Sequence, residues 1–365
     1  MLIKKNKIAI IGIQGLPAKY GGYETLVDYL SEYNDSNETD LLIYCSKKHY
    51  KIEINNYKSA NLRYINLPSN GIFSFLYDSY CILDSVKNFD KILLLGCSGG
   101  LILPFLKKYK HKFILNIGGV EWKRSKYNYF LRLIVRLLMH ISVRNSGKLI
   151  ADNIGIKNYI KEEYNRTDAE IIEYGGDQVK ISKNIECYLT NFAFLKDDYI
   201  LALGRIQSDN NIEMLLEAFK DYNKIFVYIG NWNVSNYSKF LKKKYSKYSN
   251  LILLDAIYDL NILDIIRSNC KYYIHAHSAG GTNPSLVEAM HYKIPILCYD
   301  NGFNNYTTKN KSIYFKCKEQ LINLINNLDS NSILRDKIAN DLYLIAQEYY
   351  TWEIISTKYF KYITK

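Results

Sequence analysis

The stretch 272-YYIHAHSAGGTNPSLVEAMHYKIPILCYD-300 decides the fold. An apolar run, YYIHAH, enters a glycine loop; a helix-period segment follows, and a second apolar run at 294–299 closes the unit. Strand, loop, helix and strand in this order form a parallel crossover. The helix is expected to begin near Pro284 or Ser285, because proline suits a first turn and Thr282 or Asn283 can cap it. Free amides and the positive dipole end at such a start favour an anion. Gly280, Gly281, Thr282, Asn283, Pro284, Ser285 and Leu286 are therefore candidate binding residues. Glu288 follows about one turn in, where its carboxylate could accept hydrogen bonds from a ribose hydroxyl. An ordinary capped helix with a dipole-favoured surface acid would carry the same residues.

The same rhythm continues outward. Short apolar runs near 7–13, 40–44, 91–96, 112–117, 147–152 and 169–174 alternate with helical patterns, and then the periodicity pauses over 175–198. A second series begins at 199-YILALGR-205 and continues near 224–230, 250–255, 271–277, 294–299 and 312–315. Alternation of this kind predicts two doubly wound α/β domains, residues 1–190 and 191–350. Helical patterns at 317–328 and 332–349 precede 353-EIISTKYFKYI-363, whose Ile354, Ile355, Tyr359, Phe360 and Ile363 make one apolar face. A terminal helix over about 351–365 is expected to pack back on the first domain. Two such domains facing each other would leave a cleft at the carboxyl ends of both sets of strands.

Three further stretches end strands. In 203-LGRIQSDNNIEMLLEAF-219, Arg205 stands between a buried strand and a helix starting near Asn211, placed to neutralise a diphosphate. In 12-GIQGLPAKYGGYETLVDYL-30, the glycines would let the backbone approach phosphate or sugar closely, with Lys19 adding charge at the rim or remaining a solvated loop residue. Glu24 opens the next helix, where the dipole alone favours a carboxylate. The third is 116-NIGGVEWKRSKYN-128, in which Trp122 could stack on a sugar or pack in the core.

Composition narrows the partner. The 365 residues are 48% hydrophobic and 23% charged, with a net charge of +12, so an anionic partner is expected. The basic residues read as dispersed and no nucleic-acid recognition motif is present, which argues against a nucleic-acid binder. Seven cysteines without CxxC pairing argue against a disulfide framework or a zinc site and fit a reducing cytoplasm. No Asp-x-Asp motif ends a strand, so no catalytic metal and no cofactor is implied; His275 and His277 share a strand face but have no third ligand in view. The apolar run at 8–13 is too short for a secretory leader. Arginines interrupt 129-YFLRLIVRLLMHISVRN-145, which is amphipathic: a helix packed on its own domain, or a basic helix on an anionic membrane surface. A nicotinamide dehydrogenase fails on spacing, because the GxGxxG register from Gly12 meets Gln14 and Pro17.

Quoted together, GLPAKYGGYETLVDYL, NIGGVEWKRSKYN, ADNIGIKNYI, LGRIQSDNNIEMLLEAF and HSAGGTNPSLVEAM resemble the bacterial polysaccharide rhamnosyltransferases within the retaining family 4 glycosyltransferases. The resemblance covers nearly the whole chain and keeps motif order. It implies the GT-B fold and transfer of a deoxysugar, L-rhamnose from dTDP-rhamnose, to a saccharide on a polyprenyl-diphosphate lipid. The setting it implies is the cytoplasmic face of the membrane, in synthesis of a capsule or O-antigen type polysaccharide. Glu288 matches the second glutamate of the family's paired-glutamate motif, and Gly280 occupies the place of the first. Arg205, after Gly204, matches the arginine of the Gly-Arg-Leu motif; Asn210 stands where that motif's lysine usually lies. Gly21 and Gly22 match the glycine loop that closes over donor phosphates or acceptor. Tyr20, Tyr23, Gly119, Lys123 and Arg124 complete the acceptor-side set with Lys19, Glu24 and Trp122. Where this branch commonly has aspartate, the chain has Gly118, so either Glu121 takes that role or glycine is tolerated. A glycine pair at 118–119 would suit a pocket for a 6-methyl group. On this reading the leaving diphosphate takes the proton of the attacking hydroxyl while amides and Arg205 stabilise its charge. The alternatives are a related enzyme using a UDP- or GDP-hexose, and a non-catalytic nucleotide-sugar-binding partner in an assembly complex.

Overall fold

The structure is a computed structural model that describes residues 5–19, 21–123 and 128–365. Two compact units form, Met1–Tyr174 with Trp352–Lys365, and Gly175–Thr351. Residues 175–190, assigned to the first domain by the sequence reading, therefore fall in the second unit.

The first unit is built on one sheet. Its strands are β1 (Asn6–Ile11), β2 (Thr39–Ser46), β3 (Asn56–Tyr57), β4 (Ala60–Ile65), β5 (Lys91–Leu95), β6 (Phe113–Ile117), β7 (Lys148–Ala151) and β8 (Ala169–Ile171). They lie in the order β3-β4-β2-β1-β5-β6-β7-β8, parallel except for the β3–β4 pair. Helices α1 (Gly22–Glu32), α2 (Ser74–Ser85), α3 (Tyr129–Asn145) and α4 (Ile154–Tyr164) cover it, with a 3-10 segment at Ser98–Lys112. β3 and β4 were not anticipated. In 56-NYKSANLRYI-65 polar residues alternate with few apolar ones, and Ala60 and Leu62 are the buried positions. A half-buried strand near a sheet edge has this pattern, and little of it stands out from a loop.

The second unit repeats the design with β9 (Tyr199–Leu203), β10 (Ile225–Ile229), β11 (Leu251–Leu254), β12 (Tyr272–His275), β13 (Ile296–Tyr299) and β14 (Ile313–Phe315), in the order β11-β10-β9-β12-β13-β14. All its pairings are parallel. Its helices are α5 (Ile212–Phe219), α6 (Asn236–Tyr245), α7 (Leu260–Asn269), α8 (Pro284–His291), α9 (Gly302–Thr307), α10 (Lys318–Ser330) and α11 (Ser332–Tyr349). Ile212, Leu215, Leu216 and Phe219 of α5 recur at helical spacing and are all buried, so one apolar stripe seats the helix on the sheet.

The last helix, α12 (Trp352–Thr364), belongs to the first unit. Trp352 stacks on Tyr29 of α1 at 4.5 Å between ring centroids and meets Tyr174 edge-on at 4.7 Å. Ile355, Tyr359 and Ile363 are buried with it, as the apolar face of the sequence leads one to expect. Lys358 pairs with the nearly buried Glu173 at 2.9 Å. No helix among the described residues is long and apolar enough to cross a membrane.

In each sheet the order reverses beside one strand. β1 has β2 on one side and β5 on the other, and β9 has β10 and β12. Loops leaving such neighbouring strands diverge to opposite faces and open a crevice at the carboxyl edge, which is where doubly wound sheets take ligands.

Candidate functional site

In the second unit the loops after β9, β12 and β13 are tied to one another. Asn211 donates from Nδ2 to the Ala276 carbonyl at 2.8 Å, and the Ser278 amide donates to the Asp209 carbonyl at 2.9 Å. Asn301 and Asn304 donate to the His277 carbonyl at 2.8 and 3.1 Å. Arg205 is exposed directly after β9. Asn210 is buried and donates to the Arg205 carbonyl at 2.6 Å, so its amide nitrogen shapes the loop that carries the arginine instead of reaching for a donor. Gly204 lies against His277, whose ring atoms would sit 3.1 Å from a Cβ there.

Helix α8 starts as its sequence dictates. Asn283 caps it, with Oδ1 accepting from the Ser285 amide at 3.1 Å, and Pro284 takes the first position. The Ser285 hydroxyl donates to the same oxygen at 2.9 Å. Ahead of the cap, Gly281 and Thr282 are buried, and a Cβ placed on Gly280 would meet nothing within 4 Å. Open space therefore lies beside a capped helix N-terminus at the strand edge. Leu286 is wholly buried in the second core, so its side chain is a packing residue and not a donor contact.

Glu288 is held from both sides. Its Oε1 accepts from Gln178 Nε2 at 2.7 Å, and its Oε2 accepts from Arg267 Nη1 at 2.7 Å. The Arg267 side chain is 2% exposed and that of Glu288 20%. Arg267 also donates from Nη2 to the Ser285 carbonyl at 3.1 Å and lies over the Tyr292 ring at 4.9 Å. Burial by itself would lower the Arg267 pKa, but the Glu288 carboxylate beside it raises it, so the guanidinium stays charged. A carboxylate with one oxygen on each of two donors is fixed in direction, and its remaining lone pairs can accept a hydroxyl.

Arg267 and Gln178 were not found from the sequence. The signal for Arg267 was available: it follows Ile265 and Ile266 on α7, where a charge among buried residues calls for a partner. Gln178 lies in the aperiodic 175–198 stretch, where nothing marks it. His275 packs in the core, stacked on His277 at 4.4 Å, and burial pushes its pKa far down. Among the described residues no three His, Cys, Asp or Glu side chains gather into a metal site.

In the first unit the loop after β1 departs from its reading as a cradle for phosphate. A Cβ on Gly12 would overlap the Leu95 carbonyl oxygen, and one on Gly15 would lie 2.9 Å from both the Cys45 Cβ and the Tyr50 ring. These two glycines admit the protein's own chain, not a ligand. Glu24 is buried and its Oε1 accepts from the Gln14 amide at 3.0 Å; burial raises its pKa. It braces the loop. Lys19 is exposed, with its ammonium 4.5 Å from the Tyr50 ring centre. Gly21 is exposed with a φ of 91°, and Gly22 opens α1, whose N-terminus has no side-chain cap. Tyr20 and Arg124 lie outside the described residues.

The Gly118 position is filled. The Gly118 amide donates to the Tyr23 hydroxyl at 2.8 Å, and a Cβ on Gly118 would overlap that hydroxyl. The expected pocket for a 6-methyl group is thus occupied at Gly118 by Tyr23, and Gly119 follows with a φ of 154°. Glu121, Trp122 and Lys123 form a 3-10 turn. Trp122 donates from Nε1 to the Tyr159 hydroxyl at 2.9 Å and carries the Arg136 guanidinium 4.9 Å from its ring centre, so it is packed between α3 and α4.

Comparison with known proteins places this geometry. Residues 5–177 match the family described as a domain of unknown function, DUF1972, and residues 190–343 match glycosyl transferases group 1. No curated protein matches the chain in sequence. Among solved structures, sucrose-phosphate synthase from Thermosynechococcus elongatus superposes with a TM-score of 0.79 at 14% identity, covering 98% of each chain. Anabaena HepE in complex with UDP-glucose gives 0.75 at 14% identity, over 98% of this chain and 99% of that one. WaaG, a glycosyltransferase involved in lipopolysaccharide biosynthesis, gives 0.71 at 14% identity, over 98% and 99%. This is a two-domain α/β protein of the GT-B fold, and residues 190–343 of its second unit match glycosyl transferases group 1.

Proposed function

We propose that the protein is a retaining glycosyltransferase that moves L-rhamnose from dTDP-rhamnose to a lipid-diphosphate-linked saccharide in cell-surface polysaccharide synthesis, acting at the cytoplasmic face of the membrane. The observation that carries the transferase reading is the open, capped N-terminus of α8 with Glu288 clamped one turn behind it. Amides there receive the diphosphate, and Glu288 receives the ribose. Arg205, exposed on the loop after β9, supplies positive charge as the sugar–phosphate bond breaks. The departing diphosphate takes the proton from the attacking hydroxyl, so no separate base is required. Dipoles fixed in advance at developing charge are the main source of rate here.

The rhamnose assignment rests on the motif resemblance. A UDP-hexose donor is the second reading, favoured by the likeness to HepE, which is in complex with UDP-glucose. One experiment separates them: incubation with a panel of nucleotide sugars and a lipid-diphosphate glucose acceptor, with products identified by mass. A deoxyhexose adduct from dTDP-rhamnose alone is expected. A hexose adduct of equal yield overturns the donor, and nucleotide binding without transfer to any of several acceptors overturns the enzyme.

A further inference from the structure

Eleven of the 21 large apolar side chains exposed among the described residues fall between Phe73 and Leu137. Ten of them sit on three neighbouring elements of the first unit, and Phe73 ends the turn that leads into the first of these. Leu76, Tyr80 and Leu83 share a face of α2, and Phe105 on the Ser98–Lys112 segment is 82% exposed. On α3, Tyr129 and Phe130 are 79% and 69% exposed, with Leu133 and Leu137 a turn and two turns on from them. The middle element is wedged against both helices. A Cβ on Gly99 would lie 2.5 Å from Ile82 of α2, and one on Gly100 would overlap the Ser142 hydroxyl of α3. The three outward sides therefore lie next to one another.

Positive charge accompanies this stretch of the chain. Residues 74–145, the stretch of sequence that spans all three elements, contain twelve lysines and arginines against four carboxylates, Asp78, Asp84, Asp90 and Glu121, a net +8 of the chain's +12. The basic residues stay dispersed along the chain, as their sequence indicates; the excess arises because carboxylates are scarce in this stretch. Lys107, Lys108, Lys110 and Arg144 are exposed. A monomer that leaves so many apolar groups in water has a partner for them. A second copy would bring the same positive charge against this one, and a soluble polyanion would leave the rings in water. An anionic lipid surface satisfies both the charge and the rings.

We infer that the outward side of α2, the Ser98–Lys112 segment and α3 is a docking surface for an anionic lipid leaflet, with Phe105, Tyr129 and Phe130 entering the headgroup boundary and Lys107 and Lys108 meeting lipid phosphates. This deepens the membrane placement proposed above, and its test reads binding and not sugar transfer, so the two stand or fall separately. The purified chain is sedimented with phosphatidylcholine vesicles, with and without phosphatidylglycerol, at low and high salt. The parent binds the anionic vesicles and binds less as salt rises. Lys107→Glu/Lys108→Glu weakens partitioning by roughly 25-fold or more, at about a fivefold loss for each charge removed. Phe105→Ser/Phe130→Ser abolishes the fraction retained at high salt; all four positions are exposed, and circular dichroism checks that the fold is kept. Absence of parent binding to both vesicles overturns the inference, as does parent-like binding by both variants. Light scattering that shows a dimer dispersed by the aromatic pair of changes assigns the surface to self-association instead.

Discussion

Breaking the Arg267–Glu288 pair one partner at a time tests whether the Glu288 carboxylate is held by the buried guanidinium. The guanidinium is 2% exposed and the carboxylate 20%, so the two single changes are expected to differ in cost. Glu288→Gln leaves a buried positive charge without its counter-charge, at a cost of about 3–5 kcal/mol. Arg267→Met leaves a carboxylate that keeps Gln178 and can rehydrate through its exposed edge, while methionine fills the space; a loss of about 1–2 kcal/mol follows. The double variant removes both charges together and returns to within about 1 kcal/mol of the parent, because a neutral pair of similar volume, with the introduced glutamine amide still beside Gln178, replaces a buried ion pair at little net cost. Urea unfolding of the four proteins gives the cycle, and hydrogen exchange along α7 and α8 localises it. The coupling energy is expected to be about 2 kcal/mol or more. Additive single effects, with the double variant the least stable of the four, refute the reasoning.

Three other outcomes follow from the same geometry. Arg205→Ala, at an exposed loop position, should leave stability unchanged and lower kcat about 100-fold or more, since one preorganised donor to a developing charge is worth about 2.7–4 kcal/mol; steady-state turnover within a few-fold of the parent removes Arg205 from the site. Gly118→Ala should destabilise the first unit by about 1–3 kcal/mol through overlap with the Tyr23 hydroxyl and be partly rescued by Tyr23→Phe; a melting temperature unchanged by the single substitution would show that the space is empty. Burial raises the pKa of Asp78 from 3.8 to about 7, with a Ser98 hydrogen bond opposing it. The folded chain therefore keeps a proton that the unfolded chain has released, and stability present in full below about pH 4 is lost as pH rises to about 7. Asp78→Asn should recover at most about 4 kcal/mol at neutral pH and flatten urea midpoints across that window, whereas a parallel pH profile would place the charge elsewhere.

The sheet-and-helix order was legible in the chain because parallel strands buried on both faces are short continuous apolar runs, and the glycine, asparagine and proline between them are local instructions. Asn283 and Pro284 start α8 where turn chemistry places them, and Ile355, Tyr359 and Ile363 announce the buried face of α12. Local composition also marked Arg205 and Glu288 as charges at strand and helix ends. What it could not convey is which group occupies the space that a missing side chain leaves. Gly12 and Gly118 have the same sequence signature as a ligand-hugging glycine, yet Leu95 and Tyr23, each more than 80 residues away, fill those places. The same holds for the clamp on Glu288: Gln178 is 110 residues distant, and only the packed fold brings it within 2.7 Å. Periodicity and capping depend on neighbours along the chain, whereas occupancy and charge pairing depend on neighbours in space, and those are specified only once the two sheets have formed.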